Sequence, residues 1–239
     1  ASLNRGNPTE MAFTADNKNL VITGFTPAEV YNIGTGKSTI LGTYDFSPGL
    51  AVSTDGKWIA ICGQYYGEKG GSSIRIYNAI TLQLADTIAQ TYFNDELKFS
   101  NNSKMLALYG GATIKLWDIE QRKFSASLAG HRSRVIDVEF SDNDIELLTA
   151  ADDSTARLWE TATGKQLVEY SGHTNTVWNA KFLPDGNIIS SSSDNSARIW
   201  NKQTGNFVGA IENHKDWIYK IRVSPDKKTF ALADKSGYC

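Results

Sequence analysis

The most constraining feature of this sequence is a repeat of about 42 residues, which is clearest in its second half. One copy runs from Gly130 to Tyr170 and the next from Gly172 to Ile211. Three kinds of marker residue keep this spacing: the histidines His131, His173 and His214, the tryptophans Trp117, Trp159 and Trp200, and the residues ahead of a polar turn, Phe99, Phe140, Phe182 and Val223. The sequence therefore predicts an array of one small structural unit.

Weaker copies of the unit extend towards the N-terminus. Tyr31 and Tyr77 stand where later units have tryptophan, and the insertion Gln64–Gly71 lengthens the second unit. We expect a single domain whose units span approximately 1–44, 45–90, 91–129, 130–171 and 172–212, followed by an incomplete sixth unit at 213–239.

Within a unit, short apolar runs alternate with polar turns. The fourth unit contains VIDVEF, ELLTA, TARLW and QLVEY, separated by turn sequences such as SDND and DDS. Runs of this length and composition are typical of β-strands, and no 11-residue window carries a helical apolar stripe. Four strands in about 42 residues predict an all-β protein of the β-propeller class, built from four-stranded antiparallel blades.

The residues at the ends of these strands resemble those of the WD-repeat family of β-propellers. The resemblance rests on Gly-His pairs, on turn aspartates and on Trp-Asp-like pairs: Gly130-His131, Gly172-His173, Asp153, Asp194, Trp117-Asp118, Trp159-Glu160 and Trp200-Asn201. It is strong over residues 95–239 and degenerate over 1–94.

The resemblance implies a buried hydrogen-bond chain in each well-formed blade. The indole N–H of tryptophan meets a hydroxyl on the second strand, the hydroxyl meets the histidine, and the histidine meets the turn aspartate. The implied members are Trp159, Thr149, His131 and Asp153 in the fourth unit, and Trp200, Ser190, His173 and Asp194 in the fifth. Such a chain stabilises one packing arrangement when every member is satisfied.

Other units depart from this set. The third keeps Trp117 but has Gly111 at the aspartate position and no histidine. The sixth has His214, and its acid is either Asp234 or is replaced by Ser236. The first two units have tyrosine at the tryptophan position and no Gly-His pair, so we expect them to depend on packing alone and to be less rigid.

The histidines favour a structural interpretation over catalysis or metal binding. All three occupy the same repeat position, and a repeat distributes equivalent positions over different blades instead of gathering them.

The phosphate-loop-like sequence GTGKST at 34–39 has Tyr31 where the full motif needs its first glycine. We therefore expect no catalytic residues, no metal and no cofactor.

The start of strand one and the turn between strands two and three converge on one face of a propeller. Exposed aromatic and arginine side chains there are typical anchors of protein recognition. We predict a partner-binding face formed by Phe93, Asp95, Arg134, Ile136, Asp152, Thr176, Trp178, Ser193, Trp217 and Tyr219, with Tyr65 and Tyr66 from the insertion. Each aromatic residue could instead pack between blades. Trp178 is favoured because Val177 fits a buried position and strand side chains alternate.

These features favour a non-catalytic scaffold that binds a protein or peptide. Two alternatives remain: a regulatory or sensor propeller of a larger multidomain protein, and a propeller enzyme or small-molecule binder. The formal net charge of −2 argues against a nucleic-acid partner. The sequence contains no run of about 18 apolar residues, so it predicts no membrane-spanning segment. We expect a cytoplasmic rather than a secreted protein.

The length of 239 residues corresponds to roughly 5.7 repeats. The commonest member of the family that the chain resembles has seven blades. We therefore expect a truncated or partial propeller that leaves a gap in its ring, or that closes it with a missing segment or by self-association.

Overall fold

The computed structural model describes residues 8–24, 27–42, 46–65, 71–90, 96–212, 214–226 and 228–237. The regular structure in these ranges is β. The first two sheets contain β1 (Pro8–Phe13), β2 (Asn19–Gly24), β3 (Ala28–Asn32) and β4 (Ser38–Leu41), then β5 (Phe46–Val52), β6 (Trp58–Tyr65), β7 (Gly71–Asn78) and β8 (Leu84–Gln90). The third and fourth contain β9 (Glu96–Phe99), β10 (Met105–Tyr109), β11 (Thr113–Asp118) and β12 (Lys123–Ala129), then β13 (Val135–Phe140), β14 (Glu146–Ala151), β15 (Thr155–Glu160) and β16 (Gln166–Ser171). The fifth contains β17 (Val177–Phe182), β18 (Asn187–Ser192), β19 (Ala197–Asn201) and β20 (Phe207–Ile211), and the last contains β21 (Ile218–Val223) and β22 (Phe230–Asp234).

Each of the first five sheets consists of four strands that are consecutive in the chain and neighbours in the sheet. Strands β21 and β22 form a two-stranded sheet. Where registers are given, the strands pair antiparallel, as β13 to β16 do. The predicted unit of four antiparallel strands is confirmed, and five units have all four strands.

The chain separates into two compact parts, called unit 1 and unit 2, each of which contains several of the sequence repeats. Unit 1 comprises residues up to 108 together with 116–124, and unit 2 comprises 109–115 together with those from 125 onwards. The division runs through the third sheet.

The core of each unit lies where the second and third strands of its sheets are covered on both sides. In unit 2, Leu148, Leu158, Tyr170 and Ile188 pack in one cluster with Trp200. In unit 1, Val21, Val30, Ile59 and Ile61 pack with Tyr77. Burial of these apolar side chains stabilises each sheet against its neighbour, at roughly 1.5–3 kcal/mol for a fully buried large side chain.

The turn between the first two strands is specified locally. In the fourth sheet the Ser141 hydroxyl accepts a hydrogen bond from the N–H of Glu146 and donates one to Asn143. Asp144 has a φ of 59°, in the left-handed region that aspartate tolerates. Ser100 binds Asn102 and the N–H of Met105 in the same way in the third sheet. Polar residues at this position therefore end strand one and begin strand two.

A β-bulge interrupts the first strand of the last three sheets. The register shifts between Val135 and Asp137 in β13, between Val177 and Asn179 in β17, and between Ile218 and Lys220 in β21. The residues left out of register are Ile136, Trp178 and Tyr219. A bulge redirects the side chain of its extra residue, so these three positions are set apart from the ladder.

Candidate interaction surface and the hydrogen-bond chains beneath it

A continuous hydrogen-bond chain crosses the fourth sheet. Trp159 Nε1 donates to Thr149 Oγ1 over 3.0 Å, and Thr149 Oγ1 lies 2.7 Å from His131 Nε2. His131 Nδ1 lies 2.9 Å from Asp153 Oδ2. The same carboxylate oxygen accepts the N–H of Arg132 over 2.8 Å, which fixes the chain segment leading into β13.

The fifth sheet repeats this chain with serine in place of threonine. Trp200 Nε1 donates to Ser190 Oγ over 2.8 Å, which lies 2.8 Å from His173 Nε2. His173 Nδ1 lies 2.7 Å from Asp194 Oδ2, which also accepts the N–H of Thr174. The structure thus brings together the four residues that the sequence analysis assigned to each chain.

The environment of these chains favours neutral histidine beside ionised aspartate. Burial lowers the pKa of His131 and of His173, and the aspartate hydrogen bonds only partly offset it. Burial alone would raise the pKa of Asp153, but hydrogen bonds from Thr155, the Arg132 N–H and His131 hold it below its usual range. With its ring nitrogens between a carboxylate and a hydroxyl, each histidine acts as a fixed connector.

The sixth unit takes its acid from a different place in the strand. His214 Nδ1 lies 3.0 Å from Asp234 Oδ2, and Asp234 Oδ1 accepts the Ser236 N–H and hydroxyl. Asp234 pairs with Ile218, just as Ala151 pairs with Val135 in the fourth sheet. Ser236 therefore occupies the turn position, and the carboxylate comes from two residues earlier.

The third sheet keeps the tryptophan without the chain. Trp117 is buried against Phe124, with ring centroids 5.0 Å apart. Within the described residues its indole N–H has no acceptor. Ala107, which is fully buried, stands at the position that Thr149 and Ser190 occupy in the next two units.

The predicted partner-binding positions of unit 2 lie at the same end of three successive sheets. There the backbone N–H of a turn residue donates to the carbonyl of the residue that precedes strand one. The three pairs are Asp152 to Arg134, Ser193 to Thr176, and Lys235 to Trp217, at 2.9, 3.0 and 2.9 Å. We call this set, together with the bulge residues Ile136, Trp178 and Tyr219, the interaction surface.

Side chains connect parts of this surface. Thr176 Oγ1 donates to Asp152 Oδ1 over 3.2 Å, which links the fourth and fifth sheets. Trp178 Nε1 donates to Ser193 Oγ over 2.7 Å, which fixes the half-buried indole across its own sheet. The Lys235 ammonium lies over the Trp217 ring, 4.3 Å from its centroid.

The aromatic residues of the surface differ in exposure. Trp217 is 41% exposed and Tyr219 is 48% exposed, whereas Trp178 and Ile136 are half-buried. Trp178 is therefore both packed and accessible, while Trp217 and Tyr219 project further into solvent.

The other predicted face residues are not part of this definition. Phe93, Asp95 and Tyr66 lie outside the described residues, as does most of the insertion. Tyr65 ends β6, opposite Gly71. The interaction surface is therefore defined in unit 2 alone.

Sequence reasoning missed the charged layer beneath the surface. Lys181, which is buried, lies 2.7 Å from Asp137 Oδ2 and 3.0 Å from Glu139 Oε2, and so joins the fourth and fifth sheets. Asn179 Oδ1 accepts the N–H of Ile221 over 2.9 Å and so joins the fifth sheet to β21. A signal existed, because Glu139 and Lys181 have opposite charge and hold the same repeat position in adjacent units.

The described residues contain no group of three or more histidine, cysteine, aspartate or glutamate side chains placed to hold a metal ion. The first four residues of the GTGKST segment lie in the turn between β3 and β4, with Gly36 at a φ of 68°, and its last two residues begin strand β4. A phosphate loop requires a helix there. Among the described residues, no helix is long and apolar enough to span a membrane.

Comparison with known proteins shows repeats of one kind. The family described as "WD domain, G-beta repeat" matches residues 122–160 and 164–201. Protein tipD of Dictyostelium discoideum is 30% identical over 95 residues, which are 39% of this chain and 16% of that protein. WD repeat and SOCS box-containing protein 1 of Danio rerio is 32% identical over 95 residues, which are 38% of this chain and 22% of that protein.

A solved structure extends the likeness to the whole fold. The C-terminal WD40 domain of Sif2 superposes with a TM-score of 0.79 at 21% identity, covering 99% of this chain and 67% of that one. The two curated relatives are much longer, since this chain spans less than a quarter of either.

Proposed function

Because the chain belongs to the WD-repeat family of β-propellers, we propose that it is a non-catalytic scaffold that binds a protein or peptide through the interaction surface. Members of this family are typically protein-interaction scaffolds. One observation carries the assignment to this surface. Trp178, Trp217 and Tyr219 are accessible aromatic residues at equivalent ends of neighbouring sheets.

The way Trp178 is held supports this proposal. Its indole nitrogen is fixed by Ser193, and its strand is joined to both neighbours through Lys181 and Asn179. Tryptophan and tyrosine are the residues most enriched among those that dominate binding energy. An anchor already held in one position loses little conformational entropy on binding.

The hydrogen-bond chains support the non-catalytic part. The nitrogens of His131 and His173 are within hydrogen-bond distance of an aspartate and a hydroxyl inside the sheet. His214 is bonded to Asp234. A general base needs a nitrogen that can reach substrate, so these histidines are poorly placed for catalysis.

The test is partner recovery. The wild-type chain and Trp178→Ala/Tyr219→Ala are immobilised at equal density and exposed to lysate of the source cells, and bound proteins are quantified by mass spectrometry. We expect the double variant to recover about tenfold less of at least one partner. Truncating an aromatic anchor weakens the binding free energy by roughly 2 kcal/mol or more.

The matched control is Ile145→Ala/Leu167→Ala. Both residues are exposed apolar side chains of unit 2 that lie away from the interaction surface. We expect it to recover partners as the wild type does. Unchanged recovery by Trp178→Ala/Tyr219→Ala, with the fold verified by circular dichroism, would contradict the assignment.

A second candidate is a regulatory or sensor propeller within a larger protein. The relatives favour it, since the matching segment is a minor part of each, and the name of one couples WD repeats to a SOCS box. In that case, Trp178→Ala/Tyr219→Ala in the full-length gene product should change the activity of the attached domain. An activity unaffected by this variant, and by removal of residues 1–239, would exclude it.

A further inference from the structure

The interaction surface carries a charge opposite to that of the whole chain. Of the residues that define it, Arg134 and Lys235 are exposed cations, and the exposed Arg132 and Lys215 and the half-buried Lys220 lie within two residues of it in the sequence. Asp152 of the surface accepts a hydrogen bond from the Thr176 hydroxyl. The neighbouring Asp216 accepts one from the backbone N–H of Trp217. The formal net charge of all 239 residues is −2.

Four other acids near this end of the sheets are ion-paired with a lysine or hydrogen-bonded to histidines. Asp137 and Glu139 lie against the buried Lys181. Asp153 and Asp194 are hydrogen-bonded to His131 and His173. In contrast, Arg132 and Lys215 have no ion-pair partner within the described residues. The exposed layer therefore contains more cations than acids, and the acids of the layer beneath are hydrogen-bonded or ion-paired within the protein.

From this charge distribution we infer that the partner segment is an acidic peptide with an apolar side chain between its carboxylates. The inference rests on the proposed function, because it specifies what the interaction surface binds. Trp178 and Tyr219 offer the apolar contact, and Arg132, Lys215 and Lys235 belong to the connecting segments at the same end of the sheets. Basic groups at the rim of an apolar centre steer an acidic partner and select it over a basic one.

Lys235 contributes in two ways. Its ammonium lies over Trp217 at 4.3 Å from the ring centroid, which holds the charge beside an aromatic face. It also stands at the position that Asp152 and Ser193 occupy in the two preceding units. The charge at this position therefore changes along the surface from negative to neutral to positive, which makes the end nearest β21 the most basic.

A nucleic acid fits the surface less well than a peptide. Nucleic-acid binding grows with the number of phosphates neutralised, and it usually requires a clearly basic domain. The formal net charge of the chain is −2, so the domain as a whole is not basic.

The experiment measures fluorescence anisotropy with two labelled peptide pools and the intact chain. Each pool has 12 residues, with alternate positions drawn from Leu, Phe and Tyr. The remaining positions are Asp or Glu in the first pool and Lys or Arg in the second. We expect the acidic pool to bind at least about tenfold more tightly, and to weaken as NaCl rises from 50 to 300 mM.

Three variants separate the contributions. Lys215→Glu/Lys235→Glu should lower affinity for the acidic pool about tenfold, and Trp178→Ala/Tyr219→Ala should lower affinity for both pools. The control Lys165→Glu/Lys228→Glu makes the same change in net charge at two exposed lysines of unit 2 away from the surface. It should bind as the wild type does.

The outcomes distinguish this inference from the proposed function. Equal affinity for both pools, or charge-reversal variants indistinguishable from each other, would overturn the acidic partner. Tighter binding of polyuridylate than of the acidic pool would overturn it in favour of nucleic acid. If Trp178→Ala/Tyr219→Ala still fails to recover the cellular partner in either case, the proposed function stands. If that variant also behaves as wild type in both assays, the two fail together.

Discussion

At the scale of single residues, the same tryptophan position has two different outcomes. Trp159 and Trp200 donate to a hydroxyl that continues to a histidine and an aspartate. Trp117 is equally part of a core, yet its indole N–H has no acceptor within the described residues. A buried donor left unpaired costs about 1–3 kcal/mol. The third sheet therefore retains the packing of a tryptophan without its hydrogen bond.

The substitution Ala107→Ser should restore that bond. Ala107 holds the position of Thr149 and Ser190, so a hydroxyl there would lie near Trp117 Nε1. We expect the free energy of unfolding to rise by about 1 kcal/mol, measured by urea denaturation. The control Ala107→Val adds volume without an acceptor and should destabilise the protein by about 1–3 kcal/mol. A serine variant no more stable than the valine one would show that no bond forms.

At the scale of elements, polar side chains on the first strands join neighbouring sheets. Asn179 on β17 accepts the N–H of Ile221 on β21, and Glu10 on β1 accepts the N–H of Leu50 on β5 over 2.6 Å. Both acceptors immediately follow a bulge or register shift in their strand. The bulge therefore serves two purposes, since it redirects one side chain and presents the next to the neighbouring sheet.

Glu10 makes one of these connections sensitive to pH. Burial, with a contribution from the charge of Glu96, raises the pKa of Glu10 from 4.5 to about 7. Because this folded-state pKa lies above the unfolded value, the folded chain binds the extra proton between about pH 7 and pH 4.5. The contribution of Glu10 to stability therefore improves as the pH falls through this window and is lost as the pH rises.

Glu10→Gln should remove this dependence. At pH 8 the glutamine variant should be more stable than the wild type by about 1 kcal/mol, a figure reduced for the solvent screening of a half-buried group. At pH 5 the two should unfold alike in urea titrations. The control is Glu120→Gln, because Glu120 is an exposed glutamate of unit 1, which also contains Glu10. A constant difference at both pH values would refute the assignment to Glu10.

At the scale of the whole molecule, the hydrogen-bond chains are unevenly distributed. The complete chains lie in the fourth and fifth sheets, whereas Tyr31 in the first sheet is only half-buried. The sequence analysis predicts that early blades depend on packing alone and are less rigid. This gradient remains a prediction about stability.

Aromatic truncation tests the gradient. Trp159→Ala or Trp200→Ala should cost about 3–5 kcal/mol, because each removes a fully buried side chain and leaves a hydroxyl with one partner fewer. Tyr31→Ala should cost less. Thermal unfolding combined with hydrogen exchange of each sheet measures both the size and the location of the loss. Equal melting shifts for Trp159→Ala and Tyr31→Ala would show that the gradient does not exist.

The sequence by itself determined what is local and periodic. The 42-residue repeat, the alternation within strands and the turn residues such as Ser141 predicted blades of four antiparallel strands. The resemblance to the WD-repeat family, carried over to the repeat positions, also indicated which residues make the hydrogen-bond chains, including Thr149 with Trp159. These features follow from one short segment and its neighbours, so their physical cause is present in the order of the residues.

Only the tertiary structure decided the features that depend on a single residue of register or on a neighbouring sheet. Alternation placed Trp178 opposite Val177, but a bulge sets it outside the ladder. The sequence left two possibilities for the sixth acid, and packing selects Asp234. The contact of Lys181 with Asp137 requires two sheets to be in place. A repeat fixes equivalent positions, whereas the directions and partners of their side chains depend on packing between units.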